Sequence, residues 1–184
     1  MIVPVKRPEI ERSFVLQLLA QHGIEKVERA ELLGRRGYYR DTMGAAGKND
    51  RGIYDDCIVL VSPTAFLAFN ANCDPSAFRL GIANLKAGVW SYRLGTHNLS
   101  KPPERRYPAL VQAGAVTVVR DKTGEETGWF GINIHRGGYN TTSSLGCQTI
   151  YPTQWDAYIA SVKMEMKRYE QKVIRYVLTE RETV

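Results

Sequence analysis

The chain has 184 residues, of which 43% are hydrophobic and 24% charged, and its formal net charge is +6. This length suits one domain with a sizeable core, and the composition is that of an ordinary globular protein. Three scattered cysteines exclude a disulfide framework. The sequence contains no run of about 18 apolar residues, so no transmembrane span is predicted.

A helix is predicted over residues 9–22. Its apolar residues recur every three to four positions and fall on one face; they are Ile10, Phe14, Val15, Leu18 and Leu19. Pro8 suits the start of this helix and Gly23 its end. We expect the helix to pack against a sheet.

Short strands and turns are predicted from about residue 26 to residue 150. The β-type runs are 58–61, 65–69, 89–94, 116–120 and 129–134. The polar segment 121–126 contains Gly124 and predicts a hairpin loop between the last two runs. The final run would deliver His135 at its end, where a sheet fixes the backbone and leaves the side chain accessible.

A second helix is predicted over residues 153–170, followed by a closing strand over 172–179. One stripe of this helix is apolar or aromatic, and we expect it to be core. Thr153 and Asp156 resemble a capping box. The fold class predicted from these elements is α+β, one domain over residues 1–184, with a mainly antiparallel or mixed sheet core and two flanking helices.

The residues that carry chemistry lie between His135 and Cys147. The thiolate is the reactive form of cysteine, and histidine is the base best suited to form it near neutral pH. Gly146 leaves space beside the sulfur for a carbonyl group. We therefore predict acyl chemistry with Cys147 as nucleophile and His135 as base. The backbone N–H groups around Leu145, Gly146 and Cys147 would bind the oxyanion.

This segment resembles the active-site motif of the L,D-transpeptidases of the YkuD type, in which a cysteine acts on bacterial peptidoglycan. The shared pattern is His-x-x-Gly, a polar stretch and Ser-x-Gly-Cys; its residues here are His135, Gly138, Ser144, Gly146 and Cys147. The resemblance covers about residues 131–150. It implies an L,D-transpeptidase-like fold and a thioester intermediate on the cysteine.

Three departures from that family's pattern favour cleavage over cross-linking. Leu145 replaces the second histidine of the family motif, Thr149 replaces an arginine, and the gap between His135 and Cys147 is shorter. A shortened motif of this kind is similar to that of phage lysis enzymes, which cut peptidoglycan cross-links. The N-terminal segment lacks the pattern of an export signal. We therefore expect the protein in the host cytoplasm before it is released to the cell wall.

Four further residues are candidates for substrate binding. His97 would face the cleft and bind a carboxylate, or supply the imidazole that Leu145 does not, or be an ordinary loop histidine. Arg136 would pair with a substrate carboxylate, Ser144 would orient the histidine or the turn, and Tyr139 would pack over substrate. Since no close-spaced ligand pair exists, we expect no metal and no cofactor.

The positive charge favours an anionic partner. Peptidoglycan fits because its stem peptides carry carboxylates. The basic pairs 35–36, 105–106 and 167–168 are spread out and no nucleic-acid motif accompanies them, so no nucleic-acid partner is expected. An L,D-transpeptidase that forms or exchanges cross-links and a non-catalytic wall-binding module remain the alternatives to a peptidase.

Overall fold

The computed structural model describes residues 2–180. Within them it has two α-helices, Arg12–Ala20 (α1) and Pro152–Arg168 (α2), and a short 3-10 helix at Pro103–Arg105. The strands are Glu31–Arg36 (β1), Asp56–Val61 (β2), Phe66–Asn72 (β3), Ala83–Leu85 (β4), Gly88–His97 (β5), Tyr107–Gln112 (β6), Val116–Arg120 (β7), Gly124–Gly128 (β8), Ile134–Arg136 (β9), Gln148–Ile150 (β10) and Ile174–Glu180 (β11).

Eight of these strands close into a barrel, in the order β1-β11-β5-β6-β9-β10-β3-β2. The remaining three form a small sheet in the order β4-β7-β8. Strand neighbours are antiparallel except for β1 with β11 and β9 with β10. The predicted α+β class with a mixed, mostly antiparallel core is therefore confirmed. Closure into a barrel, which leaves no free sheet edge among these strands, goes beyond that prediction.

The alternation of β2 divides its side chains between two parts of the core. Ile58 and Leu60 belong to the main cluster, which also contains the buried face of α2. Cys57, Val59 and Val61 belong to a second cluster beneath α1. Because successive side chains of a strand point to opposite faces, one strand supports both helices. Cys57 is fully buried in this second cluster.

The first helix is shorter than the range 9–22 predicted for it, but it ends as Gly23 suggested. Gly23 has φ +78°. Its N–H donates to the Ala20 carbonyl at 3.0 Å, and the N–H of Ile24 donates to the Leu19 carbonyl at 3.0 Å. This pair of bonds is the Schellman pattern, in which glycine at a positive φ closes the last turn.

The second helix matches its prediction except at its start. Of the stripe expected from the sequence, its buried face contains Trp155, Tyr158, Ile159, Val162 and Met166, whereas the sixth expected member, Tyr169, follows the last helical residue and is half-buried. The predicted capping box is wrong, because Pro152 begins the helix and Tyr151 precedes it without a side-chain cap. Thr153 is therefore already inside the first turn. No helix in residues 2–180 combines the length and apolarity needed to cross a membrane.

The predicted hairpin is also tighter than expected. The chain turns back at once after β7, so that Arg120 pairs with Gly124 and Val116 with Gly128. Lys122 and Gly124 have φ of +66° and +98° and make this turn possible. The strand predicted at 129–134 is therefore wrong. The partner of β7 is instead β8, and residues 129–133, which follow it, are irregular. His135 lies in the middle of the short strand β9.

Candidate active site

The chain segments of the candidate nucleophile and base are adjacent because two three-residue strands pair in parallel. In β9 and β10, Thr149 pairs with His135 and Gln148 with Ile134. The pairing continues one step earlier, where the N–H of Gln148 donates to the Asn133 carbonyl at 2.9 Å. Cys147, which immediately precedes β10, therefore lies beside Asn133.

Cys147 is partly exposed as a residue, and its sulfur is held by backbone groups. Sγ accepts a hydrogen bond from the N–H of Asn133 at 3.4 Å and donates to the Gly131 carbonyl at 3.5 Å. Within residues 2–180 neither His135 nor His97 forms a hydrogen bond with Sγ. Desolvation raises the pKa of the Cys147 thiol to about 11, although the Asn133 N–H opposes this shift. The resting thiol is therefore neutral.

The ring of His135 is buried and its tautomer follows from its contacts. Nδ1 lies 2.7 Å from the carbonyl oxygen of Arg136. Because a carbonyl can only accept, Nδ1 carries the hydrogen and Nε2 is left as the basic nitrogen. Tyr107 places its hydroxyl 3.2 Å from the same Nδ1. Desolvation, followed by the charge of His97, lowers the pKa of His135 to about 3, and the Arg136 carbonyl partly opposes it.

His97 lies against His135, so its imidazole is next to the candidate base. The two rings are stacked, with centroids 4.0 Å apart and planes inclined by 17°. The side-chain amide of Asn133 donates to Nδ1 of His97 at 3.1 Å, so Nε2 of His97 carries the hydrogen. Desolvation lowers the pKa of His97. The stacked pair therefore accommodates one positive charge poorly and two far worse.

Asn133 is a site residue that the sequence interpretation missed. Its backbone holds the sulfur and its side chain holds His97. The available indication was its position two residues before His135, because alternate residues of an extended chain point to the same face.

The turn before Cys147 is fastened by two serines. The hydroxyl of Ser144 accepts from the Gly146 N–H at 3.0 Å and donates to the Cys147 carbonyl at 2.6 Å. The N–H of Ser144 donates to Oγ of Ser76 at 2.8 Å. Of the two roles considered for Ser144, these contacts correspond to orienting the turn.

These bonds change the expected oxyanion site. The N–H of Gly146 is occupied by Ser144, which leaves the N–H groups of Leu145 and Cys147 without a partner in the described chain. Gly146 has φ +132°, and a Cβ there would lie 2.6 Å from the Ala83 carbonyl. Glycine is therefore needed at this position because β4 approaches the turn closely.

The remaining predicted site residues lie at the periphery. The guanidinium of Arg136 sits over the Tyr107 ring, 5.1 Å from its centroid. Tyr139 is exposed and packs edge-on against Tyr151, with ring centroids 6.1 Å apart. Neither residue lines the groove beside the histidines.

That groove is open, with a volume of about 710 Å³. It is lined by Arg93, Gly95, Thr96, His97, Asn98, Leu99, Ser100, Val111, Gln112, Trp129, Gly131 and Asn133. Two of these residues, Gly131 and Asn133, are the ones that contact the sulfur of Cys147. A ligand in the groove would therefore lie next to His97 and to the wall that holds the thiol.

No group of three or more His, Cys, Asp or Glu side chains within residues 2–180 is arranged to hold a metal ion. Comparisons of the chain with protein-family models, with curated proteins and with solved structures found no match.

Proposed function

We propose that this protein is a cysteine endopeptidase of phage origin that cleaves the D-alanyl–meso-diaminopimelate cross-link of bacterial peptidoglycan during host cell lysis. Before release to the cell wall it would reside in the host cytoplasm. The observation that carries the proposal is the β9–β10 pair. It places the partly exposed residue Cys147 beside a strand that presents a histidine with a defined basic nitrogen. The resemblance of residues 131–150 to the L,D-transpeptidase motif supplies the substrate class.

The first step of the proposed reaction is attack of Sγ of Cys147 on the D-alanyl carbonyl. The sulfhydryl turns away from the Gly131 carbonyl as its proton passes to Nε2 of His135, and the carbon–sulfur bond forms. The Arg136 carbonyl accepts from Nδ1–H and stabilises the imidazolium. The unoccupied N–H groups of Leu145 and Cys147 are the oxyanion donors.

The second step breaks the amide bond. The tetrahedral intermediate collapses, the amine of diaminopimelate leaves with the proton from His135, and a thioester remains on Cys147. Water, deprotonated by His135, then hydrolyses the thioester, which releases the acid product and the free thiol. If another stem peptide's amine took the place of water, the same intermediate would give transpeptidation.

The first prediction tests the nucleophile. Purified cross-linked muropeptide dimers are incubated with the protein and with Cys147→Ala, and the products are analysed by mass spectrometry. We expect monomers from the unaltered protein and a loss of at least about 10³-fold in the variant, because no other group replaces the attacking sulfur. Cys57→Ala, which removes a thiol beneath α1, is the matched control and keeps activity.

The products separate the alternatives. A mass adduct on the Cys147 peptide after rapid denaturation identifies the thioester. New 3→3 cross-links or exchanged terminal D-amino acids would instead identify a transpeptidase. Binding to peptidoglycan without any product would identify a wall-binding module. Full activity in Cys147→Ala would refute the proposal.

A further inference from the structure

Arg93 stands out in the groove because its guanidinium has no partner. Its side chain is exposed on β5 and lines the groove that reaches the wall beside Cys147. Within residues 2–180 no hydrogen bond or ion pair engages it. By contrast, Arg136 lies over the ring of Tyr107 and Arg51 is paired with Asp121. An unpaired guanidinium in a concave site is suited to binding an anion.

The lining of the groove strengthens this assignment. None of its twelve residues is acidic, so Arg93 is its one side chain with a permanent charge and meets no competing carboxylate there. The side chain of Trp129 on the same lining is 68% exposed and offers an apolar surface for a ligand chain. The combination of an apolar wall and one cation fits an anionic peptide better than a neutral ligand.

The strand geometry sets the distance between Arg93 and His97, the histidine at the other end of the groove. Arg93, Gly95 and His97 alternate along β5 on one face, because side chains of a strand repeat every second residue. Four residues of strand separate the Cα atoms of Arg93 and His97 by about 13 Å. Arg93 therefore meets a part of the substrate remote from the attacked carbonyl.

Gly95 lies between these two side chains on β5, where the side chain of Val111 leaves no room for a Cβ. A Cβ at that position would lie 2.6 Å from Cγ2 of Val111, on the neighbouring strand β6. With glycine there, the side chain of Val111 packs over the Gly95 backbone and forms part of the groove floor between Arg93 and His97. A ligand can lie along it from the guanidinium to the stacked histidines.

We propose that Arg93 is a specificity-determining residue that binds a free carboxylate of the stem peptide, of the kind carried by diaminopimelate. This inference rests on the proposed function and extends it to the choice among stem peptides. Peptides in which that carboxylate is amidated lose the charge but keep the shape. The protein would therefore discriminate against amidated peptidoglycan, and the discrimination would weaken with salt.

The second prediction tests this with two matched muropeptides, one with a free and one with an amidated diaminopimelate carboxylate. Binding is measured by calorimetry to the inert Cys147→Ala protein, and cleavage is measured with the active protein. We expect the free acid to bind and react about 10-fold to 100-fold better, because a charge-assisted hydrogen bond is lost on amidation. Arg93→Gln, introduced into both the inert and the active protein, should remove this preference, and Arg93→Lys should keep part of it.

The control is Arg105→Gln, which removes the same charge from an exposed residue outside the groove. It should leave the preference unchanged. If Arg93→Gln retains the preference while cleavage continues, or if Arg136→Gln removes it instead, the assignment of Arg93 is wrong and the peptidase function stands. If the inert protein binds neither peptide and the active protein cleaves neither, both the proposed function and this inference fail.

Discussion

Cys147 and His135 rest as neutral groups, which sets how the site would be activated. Desolvation raises the pKa of the thiol to about 11 and lowers that of the imidazole to about 3. A preformed thiolate–imidazolium pair would need the opposite order of pKa values. In the proposed reaction the proton would therefore move during attack on the carbonyl, when the developing oxyanion and the imidazolium would stabilise each other.

The third prediction follows from the neutral thiol and concerns alkylation of Cys147 by iodoacetamide in the free protein. At pH 8 the reaction should be about 100-fold slower than that of a thiol with a pKa of about 9, because only the thiolate reacts. The rate should rise about tenfold per pH unit and level off above about pH 11. Mass spectrometry of the Cys147 peptide gives the rate separately from the buried Cys57 and Cys73.

His135→Gln is the control for this measurement. Since the imidazole does not ionise the resting thiol, the variant should show the same pH profile. A rate that is already on a plateau near pH 7, and that falls in His135→Gln, would instead indicate an ion pair in the resting protein.

At the scale of elements, both helices are fastened to one turn, residues 62–65, between β2 and β3. From α1, Arg12 donates to the carbonyls of Ser62 and Ala65 at 2.7 and 3.3 Å. From α2, the buried carboxylate of Glu165 accepts from the hydroxyls of Ser62 and Thr64 at 2.5 and 2.8 Å. The turn therefore sets where the two helices lie on the barrel.

The fourth prediction concerns Glu165→Ala. Desolvation would raise the pKa of Glu165, but hydrogen bonds from Ser62, Thr64 and Arg168 outweigh it and the pKa is lowered. A carboxylate with a lowered pKa contributes stability above its unfolded pKa of 4.5, and this stability is lost as the pH falls below that value and through the folded pKa. At pH 7 we expect the variant to lose about 1–3 kcal/mol of unfolding free energy in urea. The loss should shrink at pH 3.

Asp156→Ala removes an exposed carboxylate from the same helix and serves as the control. Its expected effect is within about 0.5 kcal/mol. An equal loss in both variants, or a loss in Glu165→Ala that does not depend on pH, would show that the contacts to the turn are not the cause.

The predictability of these elements followed the strength of their periodic patterns. Both helices and the longer strands β2, β3, β5, β7 and β11 were predicted within a few residues. The strands β9 and β10 have three residues each, too few for an alternation to be detected. Gly34 interrupts β1 and Pro108 interrupts β6, and both residues weaken a strand pattern. A Cβ at Gly34 would clash with the Tyr176 hydroxyl, and this reason for glycine is apparent only from the folded structure.

The site was predictable only where local sequence carries it. Cys147, His135 and Gly146 form a motif that is read along the chain, and their catalytic roles stay predictions. Arg93 and Asn133 enter the site because β5, β6, β9 and β10 are neighbours in the barrel. The occupied N–H of Gly146 depends on the conformation of one serine side chain. Such features depend on pairing and rotamers, which composition and spacing do not encode.

At the scale of the whole molecule, Arg36 joins the barrel to the small sheet. This buried residue of β1 forms an ion pair with Asp74 at 3.1 Å, just after β3. It also donates to Oδ1 of Asn84 at 2.6 Å and to the Leu85 carbonyl at 2.7 Å, both on β4. Because β4 also approaches the turn at Gly146, this link connects the position of the small sheet to the turn before Cys147.

The fifth prediction is that Arg36→Met strongly destabilises the protein. The substitution removes the ion-pair partner of the buried Asp74 carboxylate. It also removes the donor to two acceptors on β4, Oδ1 of Asn84 and the Leu85 carbonyl. We expect a loss of about 3–5 kcal/mol in urea denaturation at pH 7. Arg105→Met, on the exposed 3-10 helix, should change stability by less than about 0.5 kcal/mol. A small effect of Arg36→Met would mean that the two sheets hold together by apolar contacts alone.

The protonated sulfur also bears on how Cys147 withstands oxidation in the free protein. Peroxide and soluble disulfides attack thiolates far faster than thiols, so a sulfhydryl directed at the Gly131 carbonyl is a poor target for either. Sulfenic acid and mixed disulfides should therefore accumulate slowly on Cys147. The thiol of Cys147 should therefore stay reduced while the free protein is stored in air.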